Sequence, residues 1–254
     1  MHTITLSTLW WVAAASAVFL LAGLVKGVVG LGLPTVAMAL LALLMPPAHA
    51  AALLVVPSLV TNLWQLWPWS TLPLMLRRLK GLLLGTCIGT AMGAWLMGAP
   101  TGTWASLTLG VILMVYAGWG LTGARLSVPA RAEGWAGPVV GVVTGVITNA
   151  TGVFMIPAVP YLQALGLQRD ELVQAMGISF TVSTVALAAG LAANGVYSGA
   201  GAASSLAMLV PALAGMALGQ WLRGLLSPRV FRLVFLLSVA ALGLHMTLRA
   251  LLAH

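Results

Sequence analysis

Four glycines, a lysine and a proline share one stretch, Gly23-Leu24-Val25-Lys26-Gly27-Val28-Val29-Gly30-Leu31-Gly32-Leu33-Pro34, inside sequence that is otherwise almost wholly apolar. Glycine and proline weaken helices, and a charge in hydrocarbon is expensive. A related stretch returns as Gly141-Val142-Val143-Thr144-Gly145-Val146-Ile147-Thr148-Asn149-Ala150-Thr151-Gly152. A broken helix leaves amide N–H groups unpaired at the start of the next half-helix. These carry partial positive charge and favour an anion. Glycine lets backbone approach a ligand closely. Lys26 adds a full positive charge at the first break, and Thr148, Asn149 and Thr151 add neutral donors at the second. The chemistry on offer is the binding of an oxyanion.

The acids agree. Glu133, Asp170 and Glu171 all fall in connections between apolar segments, leaving no carboxylate for a cation pathway or a proton relay. Other residues admit two readings each. Gly23, Gly27, Gly141 and Gly145 recur at four-residue spacing and serve either the ligand or close helix packing. Lys26 either faces the interior or snorkels to the cytoplasmic surface. Asn62 and Gln65 lie one turn apart, as do Ser179 and Ser183, and these line a cavity or bond neighbouring helices. His49 and His245 stand alone and read as structural. The lone Cys87 lies in an apolar run and reads as a small buried side chain.

The elements that hold these residues are membrane segments. Of 254 residues, 61% are hydrophobic and 6% charged, far below the ~25% charge of soluble domains. Crossing about 30 Å of hydrocarbon takes about 20 helical residues. Long apolar stretches run over 6–25, 48–69, 82–97, 104–121, 172–191, 200–222 and 230–252. Shorter ones over 35–45, 136–147 and 153–165 adjoin the two glycine-rich stretches. The N-terminal stretch lacks the features of a cleaved signal and reads as a retained segment.

Eleven Lys and Arg against three acids give a formal charge of +8, and its placement sets the topology. With all ten pieces crossing in alternation, Arg77, Arg78, Lys80, Arg125, Arg131, Arg169, Arg223, Arg229 and Arg232 share one side and Arg249 alone takes the other. The positive-inside rule favours this arrangement, with both termini outside. The tryptophans lie near segment ends, where an aromatic belt belongs, and are given no binding role. Five crossings per half make the second half an inverted copy of the first. The expected fold is an all-α polytopic membrane protein of two inverted repeats, each of about four to five segments, over residues 1–125 and 131–254. By their lengths, 35–45 and 136–147 stop within the bilayer, so the helices break near the midplane. Non-helical backbone at that depth must face protein or a water-filled cavity.

Catalytic patterns are missing. There is no G-x-S-x-G, H-E-x-x-H, C-x-x-C or Walker-type loop, so neither an enzyme nor an ATP-driven pump is expected, and no cofactor or metal.

The paired breaks, Gly27-Val28-Val29-Gly30-Leu31-Gly32-Leu33-Pro34 and Gly145 through Gly152 with Val153-Phe154-Met155-Ile156-Pro157 following, resemble those of the sulfite exporter TauE/SafE family. The likeness covers nearly the whole chain in layout and these stretches in detail. This chain has Leu31, Leu33, Asn149 and Thr151 where the family often shows a denser glycine run. The resemblance implies a multi-pass permease of the bacterial inner membrane that exports sulfite, an organosulfonate or a related small anion.

The expected function is secondary transport of such an anion by alternating access. The alternatives are a non-transporting membrane scaffold and a permease for a neutral metabolite. Expected substrate-binding residues are Lys26, Gly27, Gly30, Gly32, Pro34, Asn62, Thr148, Asn149, Thr151, Gly152, Pro157, Ser179 and Ser183. Expected partners are the lipid bilayer, the small anion, a coupling ion (proton or sodium) and, as an option, a second copy in a homodimer. Nucleic acid is not expected.

Overall fold

The computed structural model describes residues 6–123, 126–225 and 227–252. Helix is the only regular secondary structure among them, and seven of its helices are long and apolar enough to cross a membrane. The fold is an all-α polytopic membrane protein. The elements are α1 (Leu6–Val29), α2 (Leu33–Leu41), α3 (Pro47–Leu63, continued by a tight turn Trp64–Leu66), α4 (Leu72–Met97), α5 (Gly102–Thr122), α6 (Ala130–Thr151), α7 (Ala158–Ala164), α8 (Arg169–Ala193), α9 (Gly199–Ala207), α10 (Leu209–Leu222) and α11 (Pro228–Leu252).

The long helices pair across the chain's midpoint: α1 lies along α10, α4 along α6, α5 along α11 and α3 along α8. Glycines make the approach close enough for backbone to touch backbone. A Cβ on Gly23 or Gly27 would strike the carbonyls of Ala212 or Met216 in α10. In return, a Cβ on Gly215 or Gly219 would strike those of Leu20 or Leu24. The α4–α6 contact repeats the pattern, with Gly141 and Gly145 against the carbonyls of Leu82 and Thr86, and Gly85 and Gly89 against those of Pro138 and Val142. Without a hydrophobic force between helices in lipid, such small-residue contacts carry the association.

Packing also corrects three segment boundaries. The piece expected over 136–147 is the 22-residue α6, about 33 Å long. Its glycines do not end the helix, because contact with α4 outweighs their low propensity. The second break therefore moves to Gly152–Pro157. The piece over 82–97 begins nearly three turns earlier, at Leu72, with Arg77, Arg78 and Lys80 inside the helix. The piece over 200–222 divides at Met208, where the ring of Pro211 opposes the carbonyl four residues before it.

Pro57 similarly deprives Leu53 of its helical partner in α3. Ser205 of α9 repairs the gap, donating to the Leu53 carbonyl at 2.8 Å and accepting from the Val56 amide at 2.9 Å.

Several charged residues meet at one end of the helices. Arg78 makes a two-pronged ion pair with Glu133 and also donates to the Leu165 carbonyl at 3.2 Å, joining the starts of α4 and α6 to the end of α7. Arg249 lies at the other end, beside the α2–α3 connection. Of the charged positions used for the topology, Arg125 lies outside the described residues. Most of the tryptophans, including Trp10, Trp64 and Trp95, are exposed near helix ends. Cys87 is exposed on α4 rather than buried. A nearly uniform apolar helix shows no stripe from which its buried face could be read.

Candidate functional site

The two breaks meet inside the molecule. α1 ends at Val29, and the chain turns through Gly30 (φ 85°) and Gly32 (φ 106°) into α2, with Pro34 buried in its first turn. Both glycines occupy the left-handed region, which a side chain disfavours. α6 ends at Gly152 (φ 70°), and residues 153–155 run without helical structure to Pro157 and α7. This non-helical backbone is buried, as membrane depth demands: Val153, Phe154 and Met155 are all sealed from solvent. Thr35 donates to the Met155 sulfur at 2.7 Å, and Gly152 leaves the room that the Met38 side chain fills. The segment after one break thus packs against the segment before the other's half-helix.

Lys26 lies one turn before Gly30 and is 4% exposed, so it faces the interior and does not snorkel. Its ammonium donates to Thr61 at 3.0 Å and to the Asn62 side-chain oxygen. Gln65 donates to the Gly30 carbonyl at 2.6 Å, tying the end of α3 to the first break. Ser58, Thr61, Asn62 and Gln65 fall at helical spacing on one face of α3 and its following turn. The Ser58 hydroxyl, the Asn62 amide nitrogen and the Gln65 side-chain oxygen are buried without a hydrogen-bond partner. So are the hydroxyls of Ser179 and Ser183 on α8, the helix packed along α3. Such orphans are rare in protein interiors and mark a place where another polar group is wanted.

The second group of expected residues is placed differently. Asn149 donates to the Gly98 carbonyl at 3.0 Å and packs against Gly93, so it joins α6 to the end of α4, apart from Lys26. Thr148 and Thr151 commit their hydroxyl protons to the carbonyls of Thr144 and Ile147 in their own helix. Gly27 faces α10. The structure therefore gathers Lys26, Gly30 and Asn62 and leaves Asn149, Thr148 and Gly27 with helix contacts, while Ser179 and Ser183 lie on α8, which packs along α3. Ser58 and Thr61 escaped the sequence reading, although their spacing from Asn62 and Gln65 was available to it.

Cavities open at both ends. One of about 490 Å³ has Gly30 and Leu31 at its wall, along with Tyr116, Trp119, Gln163, Asp170 and three arginines, Arg169, Arg223 and Arg232. Trp119 thus lines a cavity, where the belt reading gave it no such place. At the other end a second cavity, also about 490 Å³, is bounded by residues 42–47 with Gly102, Ser106 and Arg249 and does not include the second break. A larger cleft of about 840 Å³ between α4 and α8 is lined mainly by alanines, Cys87 and Trp95 and is apolar.

No curated relative and no solved structure matches the chain. A family does: sulfite exporter TauE/SafE matches over residues 15–246, from within α1 to within α11, enclosing both breaks, Lys26 and the α3–α8 contact. With the match running through nearly every element just described, the chain belongs to the sulfite exporter TauE/SafE family of membrane transporters.

Proposed function

We propose that the chain exports a small oxyanion, sulfite or an organosulfonate, by alternating access of two inverted repeats about the paired breaks. The observation that carries this reading is Lys26. Its ammonium is buried, its recorded partners Thr61 and Asn62 are neutral, and orphaned polar atoms lie on the same helix face. A buried charge without a counter-ion is costly, and a transported anion would supply one.

The repeat arrangement draws support from the exchange of partners between halves. α1 on α10 and α6 on α4 are corresponding contacts if α6 repeats α1 and α10 repeats α4, and both use paired glycines. Corresponding cavities lie at opposite ends, and only the arginine-lined one reaches a break, which fits a state open on that face. In this reading the arginine face is cytoplasmic, the membrane is the bacterial inner membrane and both termini are periplasmic. Close glycine packing alone, the scaffold reading, leaves the orphans around Lys26 without a purpose.

The test is a flux screen of sulfite, sulfoacetate and taurine in proteoliposomes with imposed pH and sodium gradients. Movement of an anion under one gradient is expected, and the effective gradient names the coupling ion. Absence of anion flux under every gradient, from protein shown to be monodisperse, refutes the proposal.

A further inference from the structure

The transport reading at Lys26 makes no use of the three arginines at the cavity beneath the first break. Arg169 opens α8, Arg223 follows α10 and Arg232 lies in the first turns of α11, so three separate elements bring arginines to one wall. Only Asp170 opposes them in that wall. Among the described residues the sole salt bridge is Arg78–Glu133, so none of the three is neutralised by an ion pair. Arg232 donates to the Gly120 carbonyl at 3.3 Å, which fixes it at the cavity edge and leaves further donors free. Orienting the chain in a membrane requires arginines on this face but not their convergence on a cavity. All three are exposed, so water screens their mutual repulsion, and an anion bound among them would reduce it further.

We propose that this cavity is a loading site for a small oxyanion, from which the anion passes to Gly30 and Lys26; the proposal rests on the anion-transport reading. The planar guanidinium fork matches the oxygens of a sulfite or sulfonate group. The indole of Trp119 adds a donor, and Tyr116 and Val159 offer apolar surface to an organic tail. At about 490 Å³ the cavity admits such an anion with part of its hydration shell, each water taking about 30 Å³. The inner wall is closed by Phe235, which packs edge-on to Tyr116 with ring centres 6.3 Å apart and touches Gly32. The opposite cavity has Arg249 as its one cation, so loading is one-sided.

The experiment uses the full chain with R169Q, R223Q and R232Q, singly and together, and sulfoacetate as the probe. Quenching of Trp119 fluorescence, with W119F as the blank, reads binding in detergent, and proteoliposome flux reads transport. The triple variant is expected to raise the half-saturation concentration for loading from the arginine face about tenfold or more, on the scale of a few partly exposed charge contacts. Maximal flux stays within about twofold, and the salt dependence of loading flattens. The single variants, each at an exposed position, are expected to give smaller shifts of the same sign, and these carry the test if the triple variant is not monodisperse. Unchanged half-saturation with normal flux overturns the loading site while transport stands. Arginine-dependent quenching without any flux supports the site and refutes the transport reading. A quenching signal that sulfoacetate does not produce in phosphatidylcholine vesicles, but that phosphatidylglycerol alone produces, assigns the cavity to a lipid headgroup and overturns the proposal.

Discussion

Replacing Lys26 with methionine separates a functional charge from a structural one. Methionine keeps much of the side-chain volume and removes the ammonium. An anion held about 4 Å from that ammonium gains about 4 kcal/mol at an effective dielectric of ~20. If desolvation offsets about half of this, the net loss on substitution is about 2 kcal/mol, or roughly 30-fold in affinity, with ~1,000-fold as the upper limit. Stability should respond weakly. Asn62 loses the donor to its side-chain oxygen, a loss of about 1–3 kcal/mol. Removal of a buried charge that lacks a recorded counter-ion works in the opposite direction. Thr61 keeps its hydrogen bond to the Pro57 carbonyl at 2.7 Å. The assay is concentration-dependent sulfite and sulfoacetate flux in proteoliposomes, with thermal unfolding in detergent as the control. The expected result is a half-saturation concentration raised at least about 30-fold, or flux lost, at a thermal midpoint within a few degrees of the parent. A half-saturation value within twofold of the parent, with normal flux, removes Lys26 from anion binding and with it the observation on which the proposed function rests.

Other substitutions probe the frame. Gly145→Ala drives a Cβ into the backbone of α4 at Thr86, where nothing flexible can yield, and should lower the yield of monodisperse protein sharply. Gly30→Ala meets no atom within 4 Å and bears only the left-handed backbone penalty, about 1–2 kcal/mol, so near-normal abundance is expected on size-exclusion chromatography. Ser205→Ala exposes the Leu53 carbonyl and Val56 amide beside Pro57, and the expected loss is about 1–3 kcal/mol in thermal or denaturant unfolding. Reporter fusions at the C-terminus should show activity outside the cytoplasm; cytoplasmic reporter activity there would reverse the orientation assigned from the arginines.

Much of the architecture is legible in the sequence because the solvent is. Apolar residues at 61% leave no choice but lipid, and lipid forces the backbone into helices of spanning length. The grouping of Arg78, Arg169, Arg223 and Arg232 at one end and Arg249 at the other was likewise countable before any contact was known. So was the pairing of two small-residue breaks, since no long-range contact is needed to see Gly30 and Gly32 or Gly152 interrupt an apolar run.

Orientation about each helix axis was not legible. In helices apolar on every side, nothing local says which face is inside. Cys87 therefore read as buried and stands exposed, while Lys26 admitted two readings until α3 supplied Thr61 and Asn62. Gly141 and Gly145 looked like the second break, yet α4 holds them in helix and moves the break to Gly152–Pro157, because a packing contact outweighs a propensity of about 1 kcal/mol per glycine. The same physics decided Asn149, taken up by the Gly98 carbonyl, and brought Arg169, Arg223 and Arg232 from three elements to one wall. The sequence by itself determined the solvent, the approximate number and place of the segments, and the end at which arginines gather. Only the tertiary structure decided which residues share an interior, because that depends on contacts between helices far apart in the chain.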